Sequence, residues 1–221
     1  MKSSCPALLL RAVLLSCTFC LPLFAGSAKI SYTRAFPGST PEWFCVEIDR
    51  SGNMEYKESP TDDQPLKAQL PDSDVATLFG MAEKLGYFKG PLESGLKVAN
   101  TGKKTLRYDD GAGKSSEAVF NYSLNPTAQQ LLERFEQIAE SERAYIVLDR
   151  AVHYDHLGIN DALADVESLW LKKQLAAPRQ FVPLFDRITT HETLMHIVRD
   201  RAARLKDEFQ GPPQPVDTTP K

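Results

Sequence analysis

Between Trp43 and Ile48 apolar and polar positions alternate. Phe44, Val46 and Ile48 share one side and Cys45 and Glu47 the other, as a strand with one buried face requires. The cluster from Asp49 to Asn53 supplies a turn, and Met54 and Tyr56 resume the alternation, so the two runs predict a hairpin. A polar, proline-bearing loop over 59–65 leads to a short candidate strand at 66–70. The period then lengthens. Val75, Leu78, Phe79, Ala82 and Leu85 recur at helical spacing, with Asp72 and Asp74 in the first turn, Lys84 near the last and Gly86 just past the end.

Residues 91–102 have no clear period, and 103–123 repeat the strand, turn, strand pattern of the first hairpin. A second helix starts with Asn125 as N-cap and Pro126 at the first helical position, carrying Leu131, Leu132, Phe135, Ile138 and Ala139 on one side. Residues 29–140 therefore predict an α+β domain: an antiparallel sheet from two hairpins with helices on one face.

The stretch from Glu140 to Arg143 is polar all round, so either the helix continues through it as an exposed connector or a new one starts near Ser141. Beyond it every stripe is helical. Tyr145, Leu148 and Val152 form the first; Leu163, Val166, Trp170 and Leu171 form the second, after a break at Gly158 and Asn160. A longer helix opened by Pro178 carries Phe181, Leu184, Phe185, Ile188, Leu194, Met195 and Val198. Residues 141–209 thus predict a small all-helical C-terminal region, an antiparallel array. Residues 210–221 hold too little apolar surface to order themselves and are expected to be a disordered tail.

The N-terminal end changes the picture of location. Lys2 and Arg11 precede an apolar run from Ala12 to Phe24, followed by Ala25, Gly26, Ser27 and Ala28, the layout of a secretory signal peptide over 1–28. The run is shorter than the roughly 20 residues that span hydrocarbon as a helix, and no transmembrane segment is expected after leader removal. The expected location is periplasmic or extracellular. The alternative is a lipoprotein anchored at Cys17, within Leu14-Leu15-Ser16-Cys17. Cys5, Cys17 and Cys20 leave with a cleaved leader, so Cys45 has no intramolecular disulfide partner and is expected to pack as a small apolar residue. Loss of Lys2 and Arg11 takes the formal charge from -3 to -5, which provides no pull toward nucleic acid.

The run from Gly38 to Tyr56, a helix ending Ala82-Glu83-Lys84-Leu85-Gly86-Tyr87-Phe88 and the stretch Lys104 to Gly111 together resemble an uncharacterised family of small secreted bacterial domains. The resemblance covers roughly Ile30 to Ile138 and implies an α+β fold and export, with no activity. The family often carries C-x-G-x-C-P before its first strand. Here Gly38 and Pro41 match it, while Phe36 and Thr40 stand at the cysteine positions, so no disulfide or redox role carries over.

Several stretches suggest chemistry. Gly113-Lys114-Ser115 ends like a phosphate-binding loop, but the first glycine of that motif would fall at Tyr108, and the alternation of Ala118, Phe120 and Tyr122 announces a strand where a helix is needed. A hairpin turn is expected instead. Ser94-Gly95-Leu96-Lys97 matches S-x-x-K without the partner motifs of penicillin-binding enzymes. His191 and His196 are five apart, which places them roughly 140° apart around a regular helix and excludes an H-E-x-x-H type pair. His153 and His156 could share a metal, with Asp155 or a histidine from the last helix completing it, but two ligands fall short of three or four. Otherwise they are helix-terminal histidines. The basic run Arg199 to Lys206 reads as ordinary helix-end charge.

No residue is therefore assigned a catalytic, cofactor-binding or metal role, and no cofactor is expected. The reading by elimination is an exported bacterial envelope protein of unknown activity, a non-catalytic binding or interaction module for an unknown protein or small ligand, with no nucleic-acid partner. The alternative is a metal-binding protein or metal-dependent enzyme using His153 and His156.

Overall fold

The structure, a computed structural model, describes residues 26–211. Of the expected leader (1–28) residues 1–25, with Cys17, and of the expected tail (210–221) residues 212–221 lie outside the described residues. Six strands form one antiparallel sheet: β1 (Lys29–Ala35), β2 (Trp43–Asp49), β3 (Asn53–Lys57), β4 (Leu66–Gln69), β5 (Lys103–Asp109) and β6 (Ser115–Phe120). Their order across the sheet is β4-β3-β2-β1-β5-β6. Five α-helices accompany them: α1 (Asp72–Lys84), α2 (Pro126–Tyr154), α3 (Ile159–Leu171), α4 (Val182–Thr190) and α5 (His196–Gln210). The α+β class and the helical C-terminal region are as the hydrophobic pattern implies, and no described helix is long and apolar enough to cross a membrane.

The two expected hairpins are joined by a strand the pattern does not announce. β1 lies at the centre of the sheet, pairing with β2 on one side and β5 on the other. Its register aligns Tyr32 with Val46 and with Leu106, so one apolar row runs across the middle strands and continues to Tyr56 and Ala118. Two buried positions, Ile30 and Tyr32, are all the alternation β1 shows, because the next core-side position is Arg34. That guanidinium is accommodated: it lies 4.9 Å from the centre of the Phe44 ring and donates to Glu136 on α2 at 3.0 Å. Tyr32 donates to the same carboxylate at 2.7 Å, and burial beside Glu136 raises its phenol well above the ordinary value.

Turn chemistry sets the hairpins. Asp49 Oδ1 accepts from the N–H groups of Ser51 and Asn53, at 2.8 and 3.0 Å. Gly52 in that turn has φ of +83°, and a Cβ there would lie 2.8 Å from the Leu70 carbonyl oxygen, so only glycine fits. In the second hairpin Asp110 Oδ1 accepts from Ala112 and Lys114 at 2.8 and 3.0 Å, and β6 starts at Ser115. The glycine-rich stretch is therefore a turn between strands, and the backbone donors that would cradle a phosphate are directed to an aspartate. Ser94 and Lys97 lie in the irregular segment between Phe88 and β5, not on a helix.

α2 begins as its sequence prescribes, with the Asn125 side chain accepting from Thr127 and Ala128 at 2.9 and 3.2 Å. It then runs unbroken through Glu140 to Arg143, so the continuous-helix option is the observed one. The expected exposure is corrected, however, because Ser141 and Glu142 are completely buried. They lie between two sets of core residues. Ile138 and Ala139 join the core under the sheet and α1, whereas Leu148 and Ala151 join a core built from α3, α4 and α5.

The long helix expected from Pro178 to Val198 is two helices, a second correction. Thr190 turns its hydroxyl back onto the Asp186 carbonyl at 2.9 Å, and the chain leaves helical geometry at His191. The break lets α5 fold back on α4, so that Val198, Ala202, Leu205 and Phe209 face Leu184, Phe185 and Ile188. The basic run on α5 reaches other helices: Arg201 and Arg204 pair with Glu167 on α3, and Lys206 with Asp186 on α4.

Candidate functional site

Where α1 and α2 lie side by side over the sheet, their buried faces are set by the helical period. Val75, Leu78 and Phe79 from one and Leu131, Phe135 and Ile138 from the other point inward. The flanking positions then face each other. Asp74 and Thr77 from α1 meet Arg134 and Gln137 from α2, and the segment Lys173 to Ala176, between α3 and α4, forms the third wall. The enclosed cleft has a volume of about 80 Å³. A water occupies roughly 30 Å³ of liquid, so the cleft suits a group of a few heavy atoms.

Its chemistry is mixed by design of the helix period. Leu78, Ile138, Leu175 and Ala176 are apolar, and Asp74, Arg134, Gln137 and Lys173 bring charge and hydrogen-bonding groups to the rim. Arg134 Nη1 donates to Gln137 Oε1 at 3.1 Å, which orients the guanidinium along the helix. Burial raises the Asp74 carboxyl from its ordinary value, and the charge of Arg134 only partly counters this. The cleft thus combines an apolar floor with two cations and one carboxyl group at its rim.

The third wall is fastened from below. α3 ends with Lys173 N–H donating to Trp170 and Gln174 N–H to Leu169, both at 2.9 Å, with Lys173 in the left-handed position that usually holds glycine. Ser141 Oγ then accepts from Ala176 N–H at 2.8 Å, and Glu142 Oε1 accepts from Gln180 Nε2 at 2.8 Å. Burial raises the Glu142 carboxyl from an ordinary 4.5 to about 7.

The histidines gather at the opposite end of the helical array, in arrangements their spacing does not foretell. His153 Nδ1 donates to the Asp149 carbonyl at 2.8 Å, and its Nε2 is contacted by Arg187. One ring nitrogen of His153 thus donates to a carbonyl and the other faces a guanidinium. His156 lies edge-on against His191, ring centres 4.8 Å apart, while His196 pairs with Asp200 at 2.6 Å. Among the described residues no three or more His, Cys, Asp or Glu side chains come together as a metal ion would need. Cys45 is free and half-buried on the sheet face away from the helices, and burial raises its thiol above the ordinary value.

Sequence reasoning picked out the histidines and missed the cleft. Asp74 registers there only as a favourable helix-start charge, and Arg134 and Gln137 are not singled out. Compared with known proteins, the chain matches no protein-family model and shows no significant similarity to any curated protein.

Proposed function

We propose that the chain is an exported protein of the bacterial envelope that acts as a non-catalytic binding module, taking a small carboxylate, or the carboxyl end of a larger ligand, in the cleft between α1, α2 and residues 173–176. The observation that carries the reading is the convergence of Arg134, Lys173 and the half-buried Asp74 on one apolar-floored cleft. A carboxylate there accepts charge-assisted bonds from Arg134 and Lys173, and its short apolar part rests on Leu78 and Ile138. The reading also draws on the leader-like N-terminus, which supports a location outside the cytoplasm.

Propionate, acetate and propylamine serve as probes, followed through the backbone amide shifts of the protein without residues 1–28. Propionate is expected to move the amides of Thr77, Gln137 and Ala176 in a saturable way, propylamine to leave them unmoved, and Arg134→Ala to abolish the response. Saturable shifts from the amine, or none from either acid, would overturn the assignment.

A further inference from the structure

The segment that walls the cleft is held in a conformation its backbone does not favour. Lys173 and Ala177, at its two ends, have φ values of +55° and +45° without being glycine. In that region the side chain crowds the following carbonyl, which disfavours the conformation for any residue but glycine. Neighbouring groups must therefore hold the strap in place, and Ser141 and Glu142 of α2 are the side chains that reach it and the residues just beyond it.

The second fastening is incomplete as a pair of oxygens. Glu142 Oε1 accepts from Gln180 Nε2, but Glu142 Oε2 and Gln180 Oε1 are both buried without a hydrogen-bond partner. Two acceptors cannot satisfy each other, and each buried acceptor left alone is costly. A proton on Oε2 turns that oxygen into a donor, and Gln180 Oε1, on the amide that already donates to Oε1, is a buried acceptor in want of one. The surroundings give the charged form no help. Among the described residues Gln180 favours it, through one hydrogen bond; Tyr56 from β3 and Tyr145 from α2 both sense its negative charge, and Tyr56 already donates to Glu58. Arg143, next along α2, pairs outward with Glu140 at 3.1 Å.

We propose that Glu142 and Gln180 form a proton-binding latch, closed when the carboxyl holds its proton and released when it is lost, so that the strap and the cleft it walls open as pH rises. Once charged, the carboxylate is stranded in an apolar seam, and the route to water is to lift residues 173–180, which also relieves the left-handed backbone at both ends. Since burial places the carboxyl at about 7, the transition falls close to neutral pH. The consequence for ligand affinity rests on the cleft reading given above; the latch itself does not.

Amide hydrogen exchange on the full chain tests the latch directly, with intrinsic rates corrected for pH. Between about pH 5 and pH 9 the wild-type protection of residues 174–180 is expected to fall by about tenfold or more, with a midpoint near that of Glu142, while Glu142→Gln keeps its protection throughout. A wild-type strap that shows no loss, or the same loss in Glu142→Gln, overturns the proposal. Should the variant fold poorly, the wild type alone decides: the Glu142 carboxyl carbon resonance must titrate together with the strap amides, and a resonance flat across this range sinks the latch. Propionate separates the two ideas. Affinity that falls with pH in the wild type and stays level in Glu142→Gln supports both. A responsive strap with no propionate binding at any pH supports the latch and removes the cleft reading, whereas propionate binding beside a silent strap does the reverse.

Discussion

Replacing Glu142 by glutamine should change how the stability of the whole chain depends on pH. The buried carboxyl rises from 4.5 to about 7 on folding, so the folded state keeps a proton that the unfolded state gives up. The sign follows from linkage. A folded value above the unfolded one contributes stability that is complete below pH 4.5 and is lost as pH climbs toward 7. At about 1.36 kcal/mol per pKa unit, the loss is about 3 kcal/mol, a large share of the 5 to 15 kcal/mol that holds a typical domain folded. Glutamine at position 142 cannot ionise, yet its amide donates to Gln180 Oε1 and accepts from Gln180 Nε2 as the protonated acid does. Urea unfolding of both chains over this pH range gives the difference directly, and other titrating groups cancel in it. The variant should match the wild type near pH 4.5 and exceed it by up to about 3 kcal/mol above pH 7, less if the strap opens first and caps the loss. Parallel stability profiles would refute the argument, because they would mean the carboxyl ionises alike in both states.

Other expectations test separate parts of the structure. Phe135→Ala, at a fully buried position against Tyr32, should cost about 3 to 5 kcal/mol in urea unfolding without altering the response to propionate at low denaturant. Ser141→Ala strands the Ala176 N–H at the seam and should cost about 1 to 3 kcal/mol, with faster exchange of that amide. Cys45 should react with a disulfide reagent well below the rate of a free thiol at neutral pH and reach that rate in urea, since burial disfavours its thiolate; an equal rate in the native chain would contradict the half-buried position. Removing divalent ions with a chelator should leave the melting temperature unchanged, because among the described residues no three His, Cys, Asp or Glu side chains come together as a metal ion would need; a clear drop would restore the metal reading.

How much of this was legible from residues alone depends on distance along the chain. The first hairpin, α1 and the start of α2 rest on interactions a few positions long: Asp49 with Ser51 and Asn53, Asn125 with Thr127 and Ala128, and apolar residues at strand or helix spacing. The break at 191–195 was missed because Met195 and Val198 follow Ile188 at spacings of seven and three, which keep a helical face, while the hydroxyls of Thr189 and Thr190, both turned back onto the Asp186 carbonyl, give the local notice of the turn. β1 was missed for the opposite reason. Its third core-side position is Arg34, which breaks the alternation and is acceptable only because Glu136 arrives from α2.

By itself the chain determined that a sheet with one buried face is followed by helices and that the glycine-rich bend joins two strands, since these follow from period and turn chemistry. The tertiary structure decided the rest. Tyr32 meets Glu136 across 104 positions, and Gln180 meets Glu142 across 38, pairings that no local pattern encodes. Glu142 reads as an exposed helix residue until two cores close around it. Burial, which turns an ordinary carboxylate into a group that holds its proton near neutrality, is a property of what surrounds a side chain and not of its neighbours in sequence.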